Sequence, residues 1–555
     1  MAEIQGGAIL AQALRNEGVD TIFNLPGDPM GPILGACRRE EMRILTFRHE
    51  QAAAMAAQAW SYVSRRIGVC VVASGPAMTN AITGLDTAWA NCWPMLLIGG
   101  NGELRRRGQG DFQETPQVAA AAPFCKLAAG VDDPRRIPYY VNTAVRTAMS
   151  GRPGPVYLDL PSDVITGLVD ESQVSYLPPA PEPPRPAAEP RLIRQALEEI
   201  ARAERPLLLI GKGVAWADAA EPARHLVERL QIPFIPSPMG KGVIADDHPL
   251  CMAGARSYAL RNADLVILAG ARFNWIFHFG QPPRFAPKLR VVQIDVEPSE
   301  IGNGVPATVG MVGDAGTVLQ QLVDELGEGS RERLESPWLA ALQAERQQNE
   351  AAVNELAASD AAPMNLYRMY REIREVLADD AIVAIDGENT MAVSRAMLPN
   401  FLPRRRLDAG VSGCMGVAMP YAIGAKVASP DTQVLALNGD FAFGWNGMEI
   451  ETALRHRLPI VFLVANNGSI GGGRQQLMLG HAAGGDGRSV LRYDRMMEAL
   501  GGHGEYVETP QQLKPALTRA LASSEPSLLN VVIDPGARRK EQPFDWLARR
   551  GRMQY

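Results

Sequence analysis

The chain is predicted to fold as an α/β protein of three doubly wound parallel-sheet domains, on three observations. Short runs rich in Val, Ile and Leu alternate with longer stretches of helical periodicity, the pattern of buried parallel strands joined by crossover helices. That pattern is interrupted twice, once by dense proline and once by a long polar helical stretch, and each time it restarts. At 555 residues the chain also exceeds what one hydrophobic core sustains.

Taken in order, the first domain is expected over 1–176, with strands in IGVCVVA (67–73) and PMLLIGG (94–100). The stretch LPPAPEPPRPAAEP (177–190) follows. Its prolines forbid both a helix interior and a central strand, so it reads as a linker. A middle domain, 191–335, takes strands from PLLLIGKG (206–213), LVILAGAR (265–272) and LRVVQIDV (289–296). A polar helical stretch around Trp338 to Ser359 leads to the third domain, 360–536, with strands in AIVAID, QVLALNGD, PIVFLVANN and LLNVVIDP. A short basic tail, 537–555, completes the chain.

Composition excludes several classes. With 46% hydrophobic and 21% charged residues, disorder is not expected. A net charge of -6 gives no basic field, so a nucleic-acid partner is not expected. The six cysteines are scattered, without metal-ligand spacing, and read as reduced thiols. The first twenty residues carry Glu3 and mix polar with apolar positions, unlike a signal peptide. No run approaches the roughly 20 apolar residues of a membrane span. A cytoplasmic protein without a membrane partner is expected.

The chemistry is concentrated in the third domain. The strand QVLALN ends in Gly439 and Asp440; a helical stretch intervenes; the strand PIVFLVA ends in Asn466 and Asn467. Carboxyl ends of parallel strands face one crevice, so Asp440 and Asn467 can converge there although 27 positions apart. Magnesium suits such a site, because it takes octahedral oxygen ligands shared among a few protein oxygens, water and phosphate. Asp440, the Asn467 amide and the Ser469 carbonyl would leave positions for a diphosphate, and Gly439, Gly444 and Gly468 let backbone amides approach its phosphates. Each pair alone is also an ordinary strand-end turn; the strand, helix and strand between them favour the metal reading.

The segment NGDFAFGWNGMEIETALRHRLPIVFLVANNG resembles the thiamine-diphosphate signature of enzymes related to acetohydroxyacid synthase, pyruvate decarboxylase and oxalyl-CoA decarboxylase. The usual motif has a further glycine where this chain has Phe441. The resemblance implies a glutamate from the first domain of a partner subunit, bonded to N1' of the cofactor's aminopyrimidine. In FRHEQAAAMAAQAW that residue is Glu50, in an acid/base role that suits a partly desolvated carboxyl. By itself Glu50 is a carboxylate at a helix start, where one is favoured anyway. SGPAMTN (74–80) resembles the glycine-rich turn near the cofactor, and LDAGVSGCMGVAMPYAIGAK (407–426) the segment under its rings. The implied cofactor contacts are Gly75, Asn80, Asn389, Thr390, Gly413, Cys414, Gly439, Asp440, Phe441, Ala442, Asn467 and Ile470, with Met415 as the apolar wedge that bends the cofactor.

Within that family, GDFQETPQV (110–118), SGRPGPVYLDLPSDV (150–164), GARFNWIFHFG (270–280), RRRLDAG (404–410) and the tail ARRKEQPFDWLARR (537–550) are similar to 2-hydroxyacyl-CoA lyases, the tail in particular. That implies cleavage of a 2-hydroxyacyl-CoA to formyl-CoA and an aldehyde or ketone, through an adduct of the thiamine C2 ylide, reversible as an acyloin-type condensation. The cofactor is the electron sink, and the protein supplies orientation and electrostatics. Coenzyme A phosphates are expected to meet Arg395, Arg404, Arg538, Arg539 and Lys540, the last three opening a tail that folds over the thioester as a lid. Asp28, Phe112 and Gln113 would line the acyl pocket. The middle domain of this branch holds ADP in a structural or regulatory role, on Arg152, Lys212 and Asp295. Because Glu50 and Asp440 serve one site from two chains, the resemblance implies at least a homodimer, and a homotetramer.

Two departures bear on substrate: Gly471, Gly472 and Gly473 replace an aromatic of the acyl-pocket wall, and Asp28 stands where an apolar residue is usual. The alternatives are an oxalyl-CoA decarboxylase, which needs groups to hold a second carboxylate, and a non-catalytic cofactor-binding sensor, which has no need of Glu50.

Overall fold

The computed structural model describes residues 2–326, 336–468 and 491–539. Three parallel sheets are arranged as expected from the alternating pattern. The first has strand order Arg43–Thr46, Thr21–Leu25, Gly68–Val72, Met95–Asn101, Pro155–Pro161, Leu127–Gly130. The middle sheet runs Phe234–Pro236, Pro206–Ile210, Leu265–Ala269, Arg290–Asp295, Val309–Val312. The third runs Arg406–Asp408, Ile382–Asp386, Val434–Gly439, Val461–Asn466, Ser527–Val532, His503–Val507. Numbered by position along the chain, both six-stranded sheets have the order 2-1-3-4-6-5.

The long apolar runs named from sequence occupy the sheet centres. Shorter or more polar strands, such as Arg43–Thr46 and Arg406–Asp408, sit at edges where the pattern is weak. A small antiparallel pair, Glu3–Gln5 with Leu168–Asp170, closes the first domain. No helix or strand falls between Val174 and Glu189. Pro190 opens the helix Pro190–Arg202, where its fixed φ is already helical and its missing N–H costs nothing. The helix Pro337–Ala357 carries Trp338 and Leu342 into the core of the middle domain. Among the described residues no helix is long and apolar enough to cross a membrane, and all six cysteines are free.

One packing feature positions the site. The helix Glu50–Ser64 is rich in alanine, and its first thirteen residues are almost all buried, on every face. A helix without a polar side must be enclosed. It lies between Pro76–Asn91 and Ala418–Ala428, so the first and third domains share one hydrophobic core. Small residues allow that approach: a Cβ on Gly424 would sit 2.2 Å from the carbonyl oxygen of Ala56.

Candidate active site

Neighbouring strands of the third sheet bring the expected ligands together. Gly439 is in register with Ala465, so Asp440 and the Asn466–Asn467 pair leave the sheet at one edge. The Gly468 N–H donates to Asp440 Oδ2 (2.9 Å) and to Asn466 Oδ1 (3.2 Å), and the Phe441 N–H to Asp440 Oδ1 (2.9 Å). Asn466 has a structural task, its amide donating to the Leu491 carbonyl and to Asn530 Oδ1, whereas Asn467 is half-buried at the rim. Among the described residues no three His, Cys, Asp or Glu side chains gather to cage a metal. One carboxylate and one amide fit instead a magnesium ion that shares its shell with a diphosphate.

The strand Ile382–Asp386 lies beside Val434–Gly439 and feeds the helix Glu388–Met397 at the same edge. That helix presents Asn389, half-buried, and Thr390, buried, whose carbonyl accepts from Tyr370 Oη (2.8 Å). The first amides of a helix lie outside its own hydrogen-bond ladder and suit an anion. Gly439 caps the next helix, Asp440–Asn446, in which Ala442 is buried and Phe441 is exposed.

Two buried carboxylates hold the loop between Asp408 and Ala418. Asp386 Oδ2 accepts from Val417 N (2.7 Å) while its Oδ1 accepts from Gly387 N (2.7 Å), and Asp408 Oδ1 accepts from Gly410 N (3.0 Å). Burial raises the Asp386 carboxyl to about 6 against the pull of four backbone amides. Asn446 Nδ2 holds the Gly416 carbonyl (2.7 Å), and Trp275 Nε1 of the middle domain the Val411 carbonyl (2.8 Å). Pinned so, Gly413 is exposed and Cys414 and Met415 are half-buried.

In the first domain Glu50 opens its helix, buried, and its Oε2 accepts from Asn80 Nδ2 (3.0 Å). His49 caps the helix by accepting from Gln51 N. Gly75 begins the helix of Asn80 with φ +57, and a Cβ there would lie 2.5 Å from the Gln113 carbonyl, so both conformation and space require glycine. Ser74 Oγ donates to Gln113 Oε1 (2.8 Å) and to the Asp28 carbonyl (3.2 Å). These bonds bring Asp28, Gln113 and Gly75 to one rim, which Phe112 leaves for solvent at 65% exposure.

The arginines divide. Arg395 belongs to a crowd of positive charge between the middle and third domains, with Arg256, Arg284, Arg406, Arg539 and His278. Burial, then Arg284 and Arg395, pushes Arg256 down to about 9; burial, then Arg284, Arg256 and Arg539, pushes His278 down to about 4. Among the described residues, the buried Nε atoms of Arg256 and Arg395 have no hydrogen-bond partner. Asp408 offsets part of the charge near Arg395 and pairs with Arg406 (3.6 Å), and Arg539 is exposed, but the repulsion of Arg256 by Arg284 and Arg395 is of the kind that favours an anion. Arg404 turns elsewhere, to the Ala215 carbonyl (2.7 Å) and Asp218 (3.1 Å), and Arg538 is exposed. In the seam of the first and middle domains Arg152 pairs with Asp295 (3.4 Å) and Glu300 (3.1 Å). Lys212 Nζ donates to Asn91 Oδ1 (2.9 Å), and burial lowers it to about 7 with Arg152 near enough to contribute.

Ser469, Ile470 and Lys540 lie outside the described residues, as do Gly471 to Gly473 and the tail beyond Arg539. Sequence reasoning missed Asp386, Arg256 and Arg284. The only signal for Asp386 was an apolar strand ending in Asp-Gly, much as QVLALN runs into Gly-Asp; the two arginines had none, being far from the third domain in sequence.

Comparisons with known proteins agree with this geometry. The family models for the thiamine pyrophosphate enzyme N-terminal TPP binding domain, central domain and C-terminal TPP binding domain match residues 4–121, 193–322 and 386–531. Over 99% of this chain, and 97% of the relative, it is 40% identical to 2-hydroxyacyl-CoA lyase 1 of Homo sapiens. It is 38% identical to oxalyl-CoA decarboxylase of Escherichia coli (strain K12), over 96% of this chain and 95% of that protein. Identity to 2-hydroxyacyl-CoA lyase of Arabidopsis thaliana is 36%, over 96% of each.

Proposed function

We propose, from the premise that this chain belongs to the thiamine pyrophosphate enzyme family, that it cleaves the C1–C2 bond of a 2-hydroxyacyl-CoA to formyl-CoA and an aldehyde or ketone, and catalyses the reverse condensation. Bound thiamine diphosphate supplies the carbon nucleophile and the electron sink. The protein's residues do the rest. Asp440 and the Asn467 amide hold magnesium against the diphosphate, and the first amides of the helix Glu388–Met397 face its charge. The loop pinned by Asp386 and Asp408 carries Gly413, Cys414 and Met415 beneath the rings. Glu50, oriented by Asn80, moves a proton at N1' of the pyrimidine. It does so in the site of a second copy, which makes a homodimer the minimum unit.

Coenzyme A enters past the positive crowd around Arg395, where its phosphates relieve the repulsion among Arg256, Arg395 and Arg539. The cluster of Arg152, Lys212 and Asp295 is our place for ADP, with Lys212 as the group left to meet phosphate because Arg152 already has two carboxylate partners.

The observation that carries lyase over decarboxylase is Asp28, an exposed acidic residue whose backbone carbonyl accepts from Ser74 Oγ at the rim that Gln113 shares. A second carboxylate on the acyl group, as in oxalyl-CoA, would meet like charge there, whereas an uncharged carbonyl product would not. The test is purified protein with thiamine diphosphate and magnesium, offered 2-hydroxyacyl-CoAs and oxalyl-CoA, with Glu50→Gln alongside. Formyl-CoA plus a carbonyl product, lost in the variant, is the expected result; carbon dioxide from oxalyl-CoA alone overturns the reading.

A further inference from the structure

The residues just before Glu50 are held by a segment four hundred positions away. Arg48 N and His49 N both donate to Glu449 Oε1, at 3.2 and 3.1 Å. The same four-residue stretch meets three more side chains of that segment. Thr46 N donates to His456 Nε2 (3.0 Å), Arg455 Nη2 donates to the Thr46 carbonyl (2.7 Å), and Arg48 Nε pairs with Glu451 Oε2 (2.6 Å). Glu449 is 1% exposed and receives a further bond from Thr452 Oγ1 on its Oε2. Without it, two backbone amides at this seam between domains would lack acceptors, which costs more than the bonds themselves contribute.

We infer that Glu449 is a positioning residue for Glu50, fixing the backbone from which that carboxyl reaches the pyrimidine. The geometry has two parts. Asn80 sets the direction of the Glu50 side chain. Glu449 sets where its helix begins, because His49 is the extended cap residue whose N–H lies outside the helical ladder. The positioning residue follows closely on the helix Asp440–Asn446. One short stretch therefore begins at the proposed magnesium ligand and ends by gripping the proton-relay segment. A displacement of a few tenths of an ångström at Glu50 lengthens its bond to N1' and slows proton transfer, with the fold left intact.

This inference rests on the proposed role of Glu50, and the experiment separates the two. Holoenzyme is prepared from wild type, Glu50→Gln, Glu449→Ala, Glu449→Asp and Glu449→Gln. Quenched-flow NMR follows exchange of the C2 proton of bound thiamine diphosphate for deuterium, beside the cofactor Kd and thermal midpoint. Glu449→Ala is expected to slow exchange roughly 10- to 100-fold, with cofactor Kd within about threefold of wild type. Glu449→Gln, which keeps a carbonyl acceptor for the two amides, is expected to recover most of the rate. Should the alanine variant not fold, Glu449→Asp, one methylene short, carries the test with slowing of about tenfold. Wild-type exchange in Glu449→Ala, or in Glu449→Asp where it stands in, overturns the inference. So does slowing that only parallels loss of bound cofactor. If Glu50→Gln itself exchanges at the wild-type rate, the reading of Glu50 falls and this inference falls with it.

Discussion

The first and third domains have sheets of one topology, 2-1-3-4-6-5, yet their carboxyl edges carry different chemistry. In the third domain the third strand ends in Gly439–Asp440, a hard oxygen donor opposite an asparagine pair; in the first it ends in Ser74–Gly75, a turn with no charge. After the second strand the roles reverse. The first domain places the buried carboxyl of Glu50 at a helix start, and the third places the pinned loop of Gly413 to Met415. The scaffold fixes where a ligand can lie, and two or three residues at strand ends decide what is done to it.

Four measurements press on that contrast, in decreasing order of effect. Glu50→Gln removes the proposed proton-relay group of the first edge, and kcat is expected to fall roughly 10²- to 10⁴-fold with cofactor affinity little changed, read by steady-state kinetics at saturating cofactor. Asp440→Ala strips the third edge of its charged donor. Calorimetric titration with thiamine diphosphate and magnesium should show affinity weaker by at least about 100-fold, and an unchanged affinity would remove the metal reading.

The third measurement concerns the seam that joins the two edges. Burial raises the Glu449 carboxyl to about 7, so between the ordinary carboxylate value and 7 the folded chain keeps a proton that the unfolded chain has released. Stability from this group is therefore full below about 4.5 and lost as pH rises through 7, by on the order of 3 kcal/mol. Denaturant midpoints of wild type and Glu449→Gln at pH 5 and pH 8 should show the variant with the smaller decline. Last, Arg395→Ala should raise KM for the acyl-CoA about tenfold, the loss of one charge-assisted contact, with kcat held; an equal fall in kcat would place Arg395 at the reacting carbons.

The three-sheet fold was legible because buried parallel strands write themselves as apolar runs. Asp440 and Asn467 were legible for a related reason: a strand and its neighbour bring sequence-distant ends to one edge. The reading of Glu50 rests on resemblance alone, since nothing local distinguishes it from any helix-start carboxylate. Arg404 shows the opposite limit, a basic residue of the expected type that the interdomain surface ties to Asp218. Asp386 depends on a loop 31 positions further along its own domain, and Glu449 and the company of Arg395 on contacts between separate domains, none of which a local pattern records.

The enclosed alanine helix also bears on how the chain comes apart. Its hydrophobic cluster takes residues from the first and third domains together, while the middle domain has clusters mostly its own. Residues that share one core unfold as one cooperative unit. Calorimetry of this three-sheet protein should accordingly record two melting events, with the first and third domains in one of them and the middle domain in the other. The first domain expressed by itself would expose the face that Ala418–Ala428 now covers, and would aggregate.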